Sequence, residues 1–454
     1  MAEKIILFLS DLKPNARPAS YTFQGEPDTE TVSGTQTNEA PVKWLLRKHP
    51  GISQVICFCS TKSQNPVTLT LPNGTARTAD QSALEHFSEH IEAFSKDNPV
   101  QLVPLDYNPS KSLEQDLLPD LMKHITSNDS IYLDLTGGMR NDNLNLFLLS
   151  RVLNYTGVVV KGAVYSNFET KQVEDMTHLI HTFDLVEGVQ DFTSFGNVKK
   201  LRAYYGEPAK DADVEKLLKS METLIQNITL CRSTTIDSNL KTFSKALNKA
   251  KHCGDPLLEQ LLPAFRQKYC KGTEENTMTT PELIAWCLDS DMVQQALTLY
   301  TERIPAYLRE IKYLTIGTLE EKAQEKVDRA VKDSHQDETT VIFDKDLLLR
   351  GFSLSLPTYS KVPYVKTIER LVDALKETPY RLNVPTEQMQ HILRDYIYLK
   401  MVRNMINHAN DHNAEGRRSQ EAYLVEHGYP PIDKISVADI RKTLTTALQR
   451  LTDA

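Results

Sequence analysis

Five short apolar runs punctuate the first part of the chain: KIILFLS (4–10), ISQVICFCS (52–60), VQLVPLD (100–106), SIYLDLT (130–136) and GVVVKGAVYS (157–166). Their length and their content of Ile, Val, Leu and aromatic residues predict strands. Between them, apolar residues recur at helical spacing over about 38–49, 80–96, 111–127 and 141–154. Such alternation favours a mostly parallel sheet covered by helices, with ligands bound at the carboxyl ends of the strands. Residues 181–201 look transitional, and beyond about residue 210 the strand signal largely disappears. Helical periodicity then covers 213–230, 235–250, 256–270, 281–311, 318–333, 364–378, 386–411 and 435–452, interrupted by the polar stretches KGTEENTMTT (271–280) and KDSHQDETT (332–340). The expected class is α/β plus α: an α/β domain over 1–190, a linker over 191–212 and an α-helical domain over 213–454.

A chain of 454 residues is expected to hold more than one core. No apolar run approaches the roughly 18 to 20 residues that a membrane-spanning helix needs, so no membrane association is expected. MAEKIILFLSDLKP reads as a first strand rather than a signal peptide. Six cysteines lie without any C-x-x-C spacing, which points to neither a zinc site nor a disulfide framework and fits a reducing cytoplasm. Cys57 and Cys59 alternate with Phe58 along a strand, so packing or a lining role is expected of them rather than redox chemistry. The net charge of -8 argues against a nucleic-acid binder that relies on global positive charge, and leaves room for a local basic cleft.

Chemistry first shows at IYLDLTGGMRND (131–142). Gly137 and Gly138 remove the side chains that would keep a ligand from the backbone. NDNLNLFLLSRVLNY (141–155) then opens a helix, whose exposed N-terminal amides attract phosphate. The crossover after the first strand, DLKPNARPASYTFQGEPDTETVSGTQTNEAP, is long and rich in Pro, Gly, Thr and Asn. A loop of that length has a task of its own or carries a hairpin. Within it, Thr37 or Asn38 is placed to cap the following helix, either as a second phosphate-facing start or as an ordinary capped helix.

In the helical half, LRDYIYLKMVRNMINHANDHN (393–413) sets Arg403 and His408 with four residues between them and Asn404 beside the arginine. Five helical steps turn two side chains about 140 degrees apart, so they converge only if the helix end loosens or a symmetry mate supplies one of them. In a twofold dimer the same helix meets its copy and brings two arginines and two histidines into one cleft. That set suits RNA cleavage by attack of the ribose 2'-hydroxyl on the adjoining phosphorus. Histidine moves protons near neutral pH, arginine holds the phosphoryl oxygens, and neither a metal nor a covalent protein intermediate is required. His408 and His412 are four apart, but without H-E-x-x-H or an evident third ligand no metal site is expected. Arg394, Lys400, Arg417 and Arg418 offer local positive potential or ordinary surface charge.

Taken together, DLTGGMRN after a strand, AWCLDSDMVQQALTLYTERIPAYL (285–308) in the helical half and the late RNMINH resemble the CARF-HEPN accessory ribonucleases of type III CRISPR systems over most of the chain. The resemblance implies a Rossmann-like CARF domain that dimerises and binds a cyclic oligoadenylate, and a HEPN domain that then cleaves single-stranded RNA with little sequence preference. It marks Arg403 and His408 as the family's R-x(4-6)-H pair, with Asn404 as a supporting polar group. It marks Asp134, Thr136, Gly137, Gly138, Met139, Arg140 and Asn141 as the ligand-binding turn, and Ser10 and Asp11 as the second contact. Cys59, Ser60 and Thr61, at the end of the second strand, are further candidates for a pocket that takes an adenine base. Asp134 has a plainer reading as a carboxylate that caps its own turn. No cofactor is implied beyond the cyclic oligoadenylate as allosteric activator. Some relatives carry histidine in a D-x-T-H-G motif where this chain has Gly137, and some cut their own activator; Ser10 and Thr136 place hydroxyls near where that would occur.

Two other functions compete. A non-catalytic sensor would share the messenger domain and recruit a partner through its helical half. A dinucleotide-dependent enzyme would share the β-α pattern, but no G-x-G-x-x-G follows the first strand.

Overall fold

Along β1 (Glu3–Phe8), Ile5 and Leu7 enter one apolar layer while Ile6 and Phe8 enter another. A strand that is apolar at every position needs cover on both faces, and the computed structural model places helices on each side. The structure describes residues 2–27, 29–70, 76–108, 110, 117–270, 278–319, 321–334, 338–341, 372–373, 376, 380–407 and 421–452. The chain divides into two units, Met1–Phe183 and Asp184–Ala454.

In the first unit the chain continues through β2 (Ala19–Phe23), β3 (Val32–Gly34), α1 (Glu39–Lys48), β4 (Ile52–Ser60) and the short α2 (Thr61–Gln64). A separate antiparallel hairpin follows, β5 (Pro66–Thr70) with β6 (Ala76–Ser82), then α3 (Ala83–Phe94), β7 (Gln101–Tyr107) and a short α4 (Leu118–Leu121). The unit closes with β8 (Ser130–Asp134), α5 (Arg140–Tyr155), β9 (Val159–Asn167), β10 (Gln172–Asp175) and the start of α6 (Thr177–Phe195). Eight strands form one sheet in the order β3-β2-β10-β9-β8-β1-β4-β7. From β9 across to β7 every neighbouring pair is parallel. The chain moves outward from β1 to β4 and β7, then returns to the other side of β1 as β8 and β9. That reversal puts a topological switch point between β1 and β8, where doubly wound sheets open a crevice at the strands' carboxyl ends.

Helices α1 and α3 cover one face through Val42, Leu45, Phe87 and Ile91, and α5 covers the other through Leu146, Leu149 and Leu153. All five expected strands are present, with β8 ending at Asp134 rather than Thr136. The long crossover carries a hairpin, β2 and β3, which extends the sheet. Of the helix expected over 111–127, residues 111–116 lie outside the described residues and only α4 is helical thereafter, save Leu117.

The second unit is helical: α7 (Lys199–Tyr205), α8 (Ala212–Thr229), α9 (Ile236–Lys249), α10 (Pro256–Tyr269), α11 (Thr280–Asp289), α12 (Val293–Glu310), α13 (Glu321–Ser334), the short α14 (Glu338–Val341), α15 (Thr386–Asn407) and α16 (Val437–Thr452). One small antiparallel pair, β11 (Leu314–Ile316) with β12 (Tyr380–Leu382), interrupts them. Residues 191–212, expected as a linker, are instead packed structure. The end of α6 and all of α7 lie there, and Phe192, Val198, Leu201 and Ala209 are buried in the helical core. Scattered polar residues mask an apolar set that helical spacing gathers on one side. The single helix expected over 281–311 breaks at Ser290–Met292. Asp291 takes a left-handed φ of 60° and Met292 N–H returns to Cys287 O at 2.8 Å, a helix stop that the apolar pattern does not signal. Most of the helix expected over 364–378 lies outside the described residues.

Phe192 sits at the centre of this core. Its ring lies 4.9 Å from Tyr269, 5.5 Å from Phe265 and 5.9 Å from Phe243, and its carbonyl accepts the Tyr269 hydroxyl at 2.9 Å. Phe192→Ala is expected to destabilise the second unit by about 3–5 kcal/mol, read from urea denaturation, because its neighbours come from different helices and cannot close the void.

Candidate functional site

The turn after β8 is built from buried polar groups. Asp134 is fully buried; its Oδ1 accepts from Thr136 N–H at 2.9 Å and its Oδ2 from Asn38 Nδ2 at 2.7 Å. Burial pushes the Asp134 carboxyl up to about 6, against the opposing pull of these hydrogen bonds. Asn38 also receives Ser10 N–H on its Oδ1 at 2.8 Å and donates to Phe8 O at 3.3 Å. It stands at the start of α1, as expected, but its side chain does not cap the helix. It ties the ends of β1 and β8 together instead.

Both glycines answer to this crowding. A Cβ on Gly137 would sit 1.9 Å from Phe8 O and 2.7 Å from Asn38 Oδ1, and no neighbour there can yield. Gly138 has a φ of 76°, and a Cβ on it would also meet Asp142 and Phe8 at 2.9 Å. Asp142 then accepts Met139 N–H at 2.6 Å and the Tyr107 hydroxyl, fixing the first turn of α5.

A cavity of about 290 Å³ opens at the switch point. Ser10 and Asp11 line it just past the end of β1, Ser60 from the end of β4, Thr61 from the start of α2, and Gly138 and Met139 from the turn. Phe8, Phe58 and Tyr107 form an aromatic wall, with Phe8 stacked on Phe58 at 4.9 Å and edge-on to Tyr107 at 4.8 Å. Lys62, also on the lining, forms an ion pair with Asp11. The Ser10 hydroxyl is buried and makes no hydrogen bond among the described residues. Burial, with the Asp142 hydrogen bond, holds the Tyr107 hydroxyl well above its ordinary pKa, so it stays a donor.

The remaining expected residues lie around the cavity rather than on it. Asp134 and Thr136 are under the turn, and Thr136 Oγ1 accepts Ser166 N–H at 2.8 Å, so Ser10 alone of the two hydroxyls faces the cavity. Arg140 and Asn141 are exposed at the start of α5. Cys59 is a correction: strand alternation turns it into the apolar layer with Cys57, and burial pushes its thiol up to about 12. Lys62, Tyr107, Asp142 and the aromatic wall carry no motif, since only the parallel pairing of β4 and β7 brings Tyr107 level with Ser60.

In the second unit, Arg403 lies in α15, with Nη2 on Glu302 Oε1 of α12 at 3.0 Å and Nη1 donating to Asn404 Oδ1 at 3.1 Å. His408 lies outside the described residues, as do His412, Arg417 and Arg418. Arg394 donates to the Tyr423 hydroxyl at 2.9 Å, and the Lys400 ammonium lies 5.6 Å from the centre of the Tyr396 ring.

No family model and no curated protein matches the chain. Among solved structures, Enterococcus italicus Csm6 bound to cyclic hexa-2'-fluoro-hexa-dAMP is similar over 99% of this chain and 100% of that one, at 10% sequence identity and a TM-score of 0.36. The doubly wound fold described above rests on its own strand order. No described helix is long and apolar enough to cross a membrane.

The buried Asp134 carries a pH signature. Its folded pKa of about 6 exceeds the ordinary value of 3.8, so between those values the unfolded chain releases a proton that the folded chain keeps. Stability therefore falls as pH rises through that window and levels off above it, by about 3 kcal/mol in order of magnitude. Denaturation of wild type and Asp134→Asn at a series of pH values checks this: the wild-type value minus the variant's should drop across the window.

Proposed function

We propose that the protein is an endoribonuclease of the CARF-HEPN kind, switched on by a cyclic oligoadenylate bound in the first unit and cleaving single-stranded RNA with the second. The observation that carries the reading is the cavity at the switch point, reached from the turn whose sequence prompted it. An adenine needs apolar walls and a few polar edges. Phe8, Phe58 and Tyr107 offer the walls, and Ser10, Asp11, Ser60 and Thr61 the edges. Arg140 and Asn141, exposed where α5 begins, are the groups for neighbouring phosphates.

A second copy of the chain completes the arrangement. Met139 sits on the cavity rim, and helix α5 leaves it carrying Leu144, Leu148 and Tyr155, the four each more than half exposed, at 67%, 65%, 54% and 77%. Apolar residues at this spacing form a face continuous with the rim, suited to the same face of a partner. The pairing joins two cavities into one site for a ring with repeated units. Ligand that binds one arrangement of the pair better than the other shifts the equilibrium toward it. Leu148→Glu is expected to give a monomer by sedimentation and to lose ligand response.

Arg403 supplies charge to the scissile phosphate, Asn404 orients its guanidinium, and His408 moves the proton. The contact between Arg403 and Asn404 supports that division. The Glu302 carboxylate holds the same guanidinium, so substrate phosphate must take its place or approach from the other side. The reaction needs no cofactor.

A fluorogenic RNA incubated in EDTA with cyclic tri-, tetra- or hexaadenylate tests the reading. Cleavage is expected with one ring size. Arg403→Ala and His408→Ala should each lower it at least about 100-fold while calorimetry shows undiminished ligand binding. Full stimulated cleavage by both variants would overturn the assignment, and ligand binding by a wild type inert toward RNA would favour the recruiting sensor.

A further inference from the structure

Directly after Asn38 in the chain, Glu39 joins a cluster in which three side chains from two helices converge. Glu39 opens α1, and His86 and His90 stand four residues apart on α3, so both imidazoles leave the same side of that helix. His86 Nε2 lies 3.2 Å from Glu39 Oε1 and His90 Nδ1 lies 2.8 Å from Glu39 Oε2. The three donor atoms all fall within 4.8 Å of one another. Donors around a tetrahedral zinc, each about 2.0–2.2 Å from the ion, stand roughly 3.3 Å apart, a separation comparable to the two imidazole–carboxylate distances.

The hydrogen bonds around the cluster prepare it for a cation. His86 Nδ1 faces Gln81 Oε1 at 3.3 Å, the kind of outer partner that orients a ligating imidazole. The buried Nε2 faces the Glu39 carboxylate and makes no hydrogen bond of good geometry among the described residues. A proton or a metal ion between Nε2 and the carboxylate oxygen, 3.2 Å apart, satisfies both. Glu39 is wholly buried, and its Oε1 also accepts Gln36 N–H at 2.9 Å. Lys43 is the competing cation, 2.9 Å from Glu39 Oε2, and it also reaches Ser33 O at 2.9 Å, an acceptor it keeps if the carboxylate turns to a metal. The His90 side chain is 38% exposed and opens the site to solvent.

We propose that Glu39, His86 and His90 bind a zinc-class divalent cation, with water completing the coordination. The ion ties α1 to α3 next to the residue that holds the cavity together. It is separate from RNA cleavage, so the proposal stands or falls apart from the ribonuclease reading. Two imidazoles and a carboxylate select zinc, cobalt or nickel over magnesium.

The full-length protein is stripped with EDTA, given zinc chloride, passed through a desalting column and assayed for metal by mass spectrometry. Wild type should retain about one zinc per chain, melt at a higher temperature than the stripped protein, and show imidazole scattering in its X-ray absorption spectrum. His90→Ala, at the half-exposed position, should weaken zinc binding at least about 100-fold while its circular dichroism stays native, since losing a ligand costs more than losing an outer partner. His408→Ala, at the other histidine pair, should retain the metal. Zinc that elutes free of wild type, or that His90→Ala holds as tightly, would overturn the proposal and leave an ion-paired cluster.

Discussion

One buried carboxamide holds the crevice in register. Asn38 spends its oxygen on Ser10 N–H and its nitrogen on Asp134 and Phe8 O, so the end of β1, the end of β8 and the start of α1 meet on a single side chain. An apolar residue of similar shape would strand the Asp134 carboxylate without this partner in a fully buried position, which costs far more than the bond itself contributes. An aspartate would set two carboxylates against each other. The Gly137 backbone passes so close to the amide that no Cβ fits, so the glycine and the asparagine form one constraint seen from two places in the sequence. The long crossover makes this possible, because it lets α1 begin where its first residues reach across the sheet.

How much of this can be read from sequence follows from the range of each interaction. The parallel strands and α5 were legible because their patterns are local: Ile5 to Phe8, Ile131 to Leu133, and Leu146, Leu149 and Leu153 at helical spacing. The turn at Gly137 and Gly138 was legible because two adjacent glycines after a strand have few other uses. Tyr107, Lys62 and Asn38 were not, since each acquires its role from a partner far off in the chain. Asn38 is 96 residues from Asp134, and Tyr107 is 35 from Asp142. The packed segment at 191–212 was hidden for a related reason: Phe192 matters through Phe243, Phe265 and Tyr269, none of them nearby. Cys59 failed for a local reason, because strand alternation sends it and Ser60 to opposite sides.

Electrostatics also revise the picture of an anion cradle. The cavity lining carries two carboxylates, Asp11 and Asp142, against the single ammonium of Lys62, which is already paired with Asp11. Asp142 is further engaged by Tyr107 and Met139 N–H. A free phosphate pressed into this space would meet negative charge, whereas a neutral ring would meet aromatic faces and hydroxyls. The lining therefore suits a neutral ring better than an anion, and the exposed amides at the start of α5 suit an anion better.

The same separation bears on what a motif records. Asp134 and Thr136 are the most recognisable letters of the turn, yet both are consumed in building it: one bonds the Asn38 amide and the Thr136 N–H, the other the Ser166 N–H. Residues that support the loop are held by its geometry, while Ser10, Thr61 and Met139 line the cavity and carry none of that support. A sequence motif thus marks the scaffold of a site more faithfully than its contacts. In the second unit Arg403 is likewise engaged by its surroundings, with its guanidinium fixed by Glu302 and Asn404.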